Sequence, residues 1–181
     1  MDPIEMVAQL MALSATTAPK SKGEDFVRTM VLSGDDLDPL AQVMKDYGRE
    51  SGKGNFDRDG ANVANCGALL LVGLSKAGPC GLDCGACGFA TCRDMLRHGP
   101  VEVEFAGPVC AYRLLDLGIA LGSAVKTASL HNVDNRIMYR VGVAARRLGL
   151  VDWEIVLGVP LSATGKNPFF DRKDPTGTVP E

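Results

Sequence analysis

Cys66-Gly67-Ala68-Leu69-Leu70-Leu71-Val72-Gly73 is the stretch on which the fold turns. It is apolar without alternation and bounded by glycine, the pattern of a strand covered on both faces. Such a strand needs layers above and below it, and its flanks supply them. Upstream, Asp2, Pro3 and Glu5 form a capping box for a helix running to about Thr17, with Ile4, Val7, Leu10, Met11 and Ser14 at helical spacing. Ala18-Pro19-Lys20-Ser21-Lys22-Gly23 ends that helix, and residues 26–32 read as a second strand. Asp35 and Asp36 offer capping chemistry for a helix presenting Leu37, Leu40, Ala41, Val43, Met44 and Tyr47 on one face. Residues 48–60 are polar, glycine-rich and without period, so a loop is expected there, followed by a helical turn over 61–65.

Downstream, residues 111–130 read as a long helix with Leu114, Leu117, Leu121, Val125 and Ala128 as its core stripe. Gly118, Ala120, Gly122, Ser123 and Ala124 lie in the same helix. Each glycine costs roughly 1 kcal/mol of helix propensity relative to alanine, so close packing against another backbone, ring or cofactor is expected to offset it. Asp134 is expected to cap a further helix carrying Ile137, Met138, Val141, Ala144, Ala145 and Leu148, stopped by Gly149. Residues 153–159 read as a last strand, 160–167 as a turn-rich loop, and 171–181 as an extended or disordered tail. The alternation of helices and strands predicts an α+β domain of mixed α/β layers. Residues 1–79 and 111–170 would form two parts of one core, with 80–110 inserted between them.

That middle segment carries the chemistry. Cys80, Cys84, Cys87 and Cys92 crowd into thirteen residues, with Cys66 before them and Cys110 after. From Cys84 the spacing is C-x2-C-x4-C-x17-C, ending at Cys110. Gly81, Gly85, Ala86, Gly88 and Ala90 interleave with the cysteines and are small enough for backbone to wrap an inorganic cube. The expected ligands of one [4Fe-4S] cluster are therefore Cys84, Cys87, Cys92 and Cys110, the last at the start of a helix, where a thiolate is favoured electrostatically. Cys80 competes for the same duty. A structural zinc site is the bland alternative, although zinc ribbons use two separate knuckles. Cys66, at the edge of a buried strand, reads as a packing residue.

Composition narrows the function classes. A net charge of −3 and a pI near 5.4 leave no basic field for nucleic acid. No apolar run approaches the roughly 20 residues that span a bilayer, and the acidic opening is unlike a secretory signal, so no membrane and a cytoplasmic location are expected. His98 and His131 read as surface residues, and Lys166 lacks the glycine-rich strand–turn context of a phosphate loop.

The segment Gly81-Leu-Asp-Cys-Gly-Ala-Cys-Gly-Phe-Ala-Thr-Cys92, with Asp116-Leu-Gly-Ile-Ala-Leu-Gly-Ser-Ala124, Asp134-Asn-Arg-Ile-Met-Tyr139, Pro160-Leu-Ser-Ala-Thr-Gly-Lys-Asn167 and Phe170-Asp-Arg172, resembles a family of uncharacterised ferredoxin-domain, 4Fe-4S-containing proteins. The cysteine spacing is also similar to cluster domains of Rnf complexes and of the corrinoid iron–sulfur protein. A further similarity, in the order of elements, is to flavin-dependent nitroreductases, without their Arg-x-Ser-x-Arg phosphate clamp. These resemblances imply a nitroreductase-like sheet and electron transfer or redox sensing in anaerobic metabolism. They also imply a redox partner protein and, as an alternative, an FMN-dependent oxidoreductase using the cluster as relay. Lys20, Lys22, Lys166 and Arg172 are then the cations available to a flavin phosphate. Small-residue helix faces suggest a homodimer.

Overall fold

The computed structural model describes residues 2–170, so the expected tail over 171–181 lies outside the described residues. At its centre is an antiparallel sheet in the order β1-β2-β6-β5, formed by Val27–Ser33, Ala68–Leu74, Ile155–Ser162 and Asp134–Asn135. The central strand β2 is buried at all seven positions, as its unbroken apolar sequence requires. Its registers run from Val27 opposite Leu74 to Ser33 opposite Ala68 on one side, and from Ala68 opposite Leu161 to Leu74 opposite Ile155 on the other.

Alternate residues of β2 feed two cores. Leu69 and Leu71 pack with α2 (Leu37–Ser51), α3 (Phe56–Ala64) and α6 (Tyr139–Arg147) through Leu40, Met44, Phe56, Val63, Val141 and Ala144. Ala68, Leu70, Val72 and Leu74 pack with α1 (Pro3–Thr17) and α5 (Ala111–Leu130) through Ala8, Met11, Leu117, Ala120 and Ala124. The result is a helix–sheet–helix sandwich of α+β type. Between β2 and α5 the chain leaves the sheet and forms only α4 (Cys92–His98) and the two-residue strands β3 (Val101–Glu102) and β4 (Ala106–Gly107).

Several local expectations need correction. The glycine-rich stretch 48–60 is not one loop: α2 continues to Ser51, Gly52 ends it in the left-handed conformation, and α3 begins at Phe56. Tertiary contact overrides the polar composition there. Phe56 is fully buried edge-on to Tyr47, its centroid 5.1 Å away, and buried Asp59 receives Arg58 and Arg140. Asp134 does not cap a helix; it pairs with Ser162 in β5 and accepts a hydrogen bond from Asn167, and α6 starts at Tyr139. Residues 160–162 belong to β6, Pro160 included. Gly158 exchanges both backbone hydrogen bonds with Met138, so the alternation turns the Pro160 nitrogen away from β2, where no ladder partner is needed.

The small residues of α5 divide by face. Ala120, Ala124 and Ala128 meet the core, whereas a Cβ on Gly118 or Gly122 would meet nothing within 4 Å, so these two glycines are not packing devices. Leu114 of the expected stripe is likewise exposed, and Arg113 and Asp116 are buried instead. The close approach lies elsewhere: a Cβ on Gly142 of α6 would stand 1.8 Å from the carbonyl oxygen of Val156.

Gly142→Ala should therefore force α6 off the sheet and cost about 2–3 kcal/mol, while Gly118→Ala should gain up to about 1 kcal/mol. Thermal unfolding checks both signs. Burial pushes the Cys66 thiol from its ordinary value near 9 up to about 11. Its folded pKa exceeds its unfolded one, so the contribution of the neutral thiol is complete below pH 9 and is lost as the pH rises towards 11. Denaturant titrations of wild type and Cys66→Ala should diverge over that window by on the order of 2–3 kcal/mol.

Candidate metal centre

The cysteine segment is delivered to α5 by a series of tethers. Leaving β2, the Ser75 amide donates to the Phe26 carbonyl at 3.0 Å, and the Lys76 amide donates to both carboxylate oxygens of Glu154 at 2.8 and 2.9 Å. Gly78 then accepts from Nε of Arg113 at 2.9 Å. Two residues later Cys80 enters the interior beside Cys110, the residue before the first turn of α5. Together with Met95, and with Cys87 and Phe89 at the margin, these two form a small apolar cluster separate from the two main cores.

Arg113 itself is fully buried. Its second nitrogen donates to the Ser21 carbonyl at 2.9 Å and to Asp116 Oδ2 at 3.2 Å, its third pairs with Glu24, and its plane lies over the Phe26 ring at 4.6 Å. Asp116 Oδ1 accepts from both the amide and the hydroxyl of Ser21, at 2.7 and 2.8 Å. Neither Arg113 nor Asp116 was marked by spacing as a site residue. The available signal was an Arg and an Asp one turn apart, in register with Leu117, Ala120 and Ala124 on an otherwise apolar helix face.

Residues 75–91 contain no helix or strand. Gly85 and Gly88 adopt left-handed backbone, and Gly88 donates back to the Gly85 carbonyl at 2.9 Å, which curls the chain between Cys84 and Cys92. Asp83 accepts from the Cys92 amide at 2.7 Å and pins the far end of the curl. Thr91 caps α4 by accepting from the Asp94 amide at 3.1 Å. Cys84 is exposed, Cys87 and Cys92 are half-buried, and Cys80 and Cys110 are buried.

One hollow is lined by all five of these cysteines, with Leu82, Phe89, Met95 and Tyr112. Cys66 lies apart, in the core under α2 and α6, as expected of a packing residue. The space enclosed is about 10 Å³, and among the described residues no three Cys, His, Asp or Glu side chains gather closely enough to hold a single ion. The donor set nevertheless suits an iron–sulfur group: thiols from one glycine-rich curl and from a helix start, surrounded by apolar side chains. The two histidines stand outside it, both exposed, with His98 edge-on to Phe89 at 5.4 Å.

Electrostatics separate the buried pair. Burial pushes the Cys80 thiol up, the Arg113 charge works against this, and neighbouring Cys110 adds to it. Cys110 is also penalised by burial, but the N–H groups of Cys80, Tyr112 and Arg113 and the Cys80 thiol outweigh that and hold it below an ordinary cysteine. Cys110 is thus the readier thiolate of the two.

Two of the cations considered for a flavin phosphate are otherwise employed. Lys20 donates to the carbonyls of Ala15, Thr16 and Ala18 at 3.2, 2.7 and 2.8 Å and closes the end of α1, and Lys22 faces Glu24 at 3.9 Å. Arg172 lies outside the described residues.

Solved structures share this architecture at low identity. The nitroreductase CinD from Lactococcus lactis, in complex with chloramphenicol, is 14% identical with a TM-score of 0.61 over 92% of this chain and 80% of its own. A variant of the FMN- and NADPH-dependent nitroreductase NfnB from Sphigopyxis sp. strain HMH is 12% identical with a TM-score of 0.58, over 93% and 83%. The fold is therefore similar to that of nitroreductases. Among curated proteins, an uncharacterized protein of Archaeoglobus fulgidus is 45% identical over 169 residues, 93% of this chain and 91% of its own length. The family described as "Uncharacterized protein containing a ferredoxin domain" matches residues 106–172, a range that takes in Cys110 and α5. Identity of that extent along both chains, joined to this match, places the chain in the family of uncharacterized proteins containing a ferredoxin domain.

Proposed function

We propose that the chain holds one [4Fe-4S] cluster through Cys84, Cys87, Cys92 and Cys110 and exchanges single electrons with a redox partner protein, in electron transfer or redox sensing. The observation that carries this is the hollow lined by five of the six cysteines. The ferredoxin-domain family supports an iron–sulfur group. The nitroreductase-like fold by itself supports only the architecture.

Metal ligands are thiolates, and of the buried pair Cys110, held below an ordinary cysteine by the N–H groups of Cys80, Tyr112 and Arg113, is the one favoured for that role. The apolar lining excludes water from one side of the site, while exposed Cys84 brings the other side to the surface, where a partner can approach. Holding a cube requires the curl around Gly85 and Gly88 to widen, and residues 75–91 carry no strand or helix to resist that. The cluster, when bound, supplies a one-electron couple. The segment 80–110 would then be a cluster-binding insertion in the α/β core.

Protein purified without oxygen should contain about four iron and four sulfide per chain, without stoichiometric FMN. Serine at Cys84, Cys87, Cys92 or Cys110 should remove most of the iron, and Cys80→Ser should retain it. Stoichiometric FMN with the cluster would favour a flavin oxidoreductase using the cluster as relay, and zinc in place of iron would sink the assignment.

A further inference from the structure

The interior beside the cysteine hollow holds a fixed positive charge that the ligand set does not use. Arg113 is three residues past Cys110, and through Gly78 its guanidinium is bonded to the segment that ends in Cys80. Two carboxylates answer it. Asp116 is one helical turn further along α5, with each oxygen already engaged by Ser21 or Arg113. Glu24 comes from the loop after α1 and keeps its side chain 45% exposed, so solvent and salt screen its charge. Of the three charged residues Arg113 is the one bonded to the cysteine segment: its Nε holds the Gly78 carbonyl, and its own amide donates to the Cys110 carbonyl at 3.0 Å.

Reduction of a cluster adds one negative charge without making or breaking a bond, the electron coming from a redox protein. In a water-poor interior a nearby fixed cation favours the more negative state, and cluster potentials respond to such charges. We propose that Arg113 is a positioning and tuning residue that raises the reduction potential of the cluster held by this site, with Glu24 as the opposing charge. This rests on the cluster assignment made above.

The test is a redox titration, followed by EPR, of the full chain purified without oxygen, with iron and sulfide measured on each sample. Wild type is compared with Arg113→Gln, Arg113→Lys and Glu24→Gln. At a fixed applied potential, Arg113→Gln should lower the ratio of reduced to oxidised cluster about tenfold, which is about 59 mV for one electron. Arg113→Lys should recover most of this. Glu24→Gln should move the ratio the other way, because it leaves the cation less compensated. A merely structural network would reduce cluster content in both variants and leave the potential of the remaining cluster unchanged. The proposal is overturned if Arg113→Gln retains its cluster at the wild-type potential, or if the Gln variants at 24 and 113 shift in the same direction. Should Arg113→Gln not fold, Glu24→Gln decides alone: an unchanged or lowered potential overturns the proposal. Wild-type protein lacking iron and sulfide overturns this proposal and the cluster assignment together, whereas a cluster indifferent to both charges overturns this proposal only.

Discussion

The guanidinium of Arg113 must satisfy its charge and its donors without water, and the way it does so ties together three parts of the chain that are remote in sequence. It bonds Gly78 on the segment leaving the central strand, Ser21 and Glu24 after the first helix, and Asp116 on its own helix. A buried charge is tolerated only when paired and fully hydrogen-bonded, and removing one partner of such a pair typically costs about 3–5 kcal/mol. The exit of β2, the end of α1 and the start of α5 are thus held in one geometry. Cys80 and Cys110 are brought together as a consequence of it.

The sandwich and the cysteine segment divide the work. The sheet and its two helical layers bury the apolar surface and need nothing from the cysteines other than Cys66. The segment from Ser75 to Cys110 has only the small cluster of Cys80, Met95 and Cys110 as its own core, with Cys87 and Phe89 against it. A loop with so little apolar burial gains little from packing alone, and a cofactor binding four of its side chains would supply the missing cross-links. Tethers at Ser75, Lys76 and Gly78 on one side, and at Asp83 and Thr91 within it, fix where its ends stand.

Much of this was legible in the sequence, for identifiable reasons. The central strand shows as an unbroken apolar run because both its faces are covered. The first helix shows because Asp2 caps it, its side chain accepting from the amides of Ile4 and Glu5, and the second because its apolar face has a clean period. Phe56 defeated the pattern: one aromatic ring between Tyr47 and Tyr139 stabilises a helix in a stretch whose composition reads as loop. Asp134 offered a good cap but found a sheet partner, since its fate depends on a strand nearly thirty residues later. In α5 the helix itself was plain, and Leu117, Leu121 and Ala128 of its expected face are buried; Leu114 is not, and Arg113 and Asp116 turn inward at that end instead. A charged pair on an apolar stripe looks like an outside, and only the partners at residues 21, 24 and 78 make it an inside. The crowding of the cysteines was legible from spacing; the burial of Cys80 against Cys110 was not, because contact between two thiols thirty residues apart is a tertiary fact.

The central claim is that the curl around Gly85 and Gly88 and the thiolate at the head of α5 close on one iron–sulfur cube. Mössbauer spectroscopy of the full chain, enriched in iron-57 and prepared without oxygen, tests it most directly. The account predicts the single delocalised mixed-valence iron signature of a cubane, changing on one-electron reduction and absent when Cys110 is replaced by serine. A spectrum of isolated iron sites, or one that survives the loss of Cys110 unaltered, would contradict it.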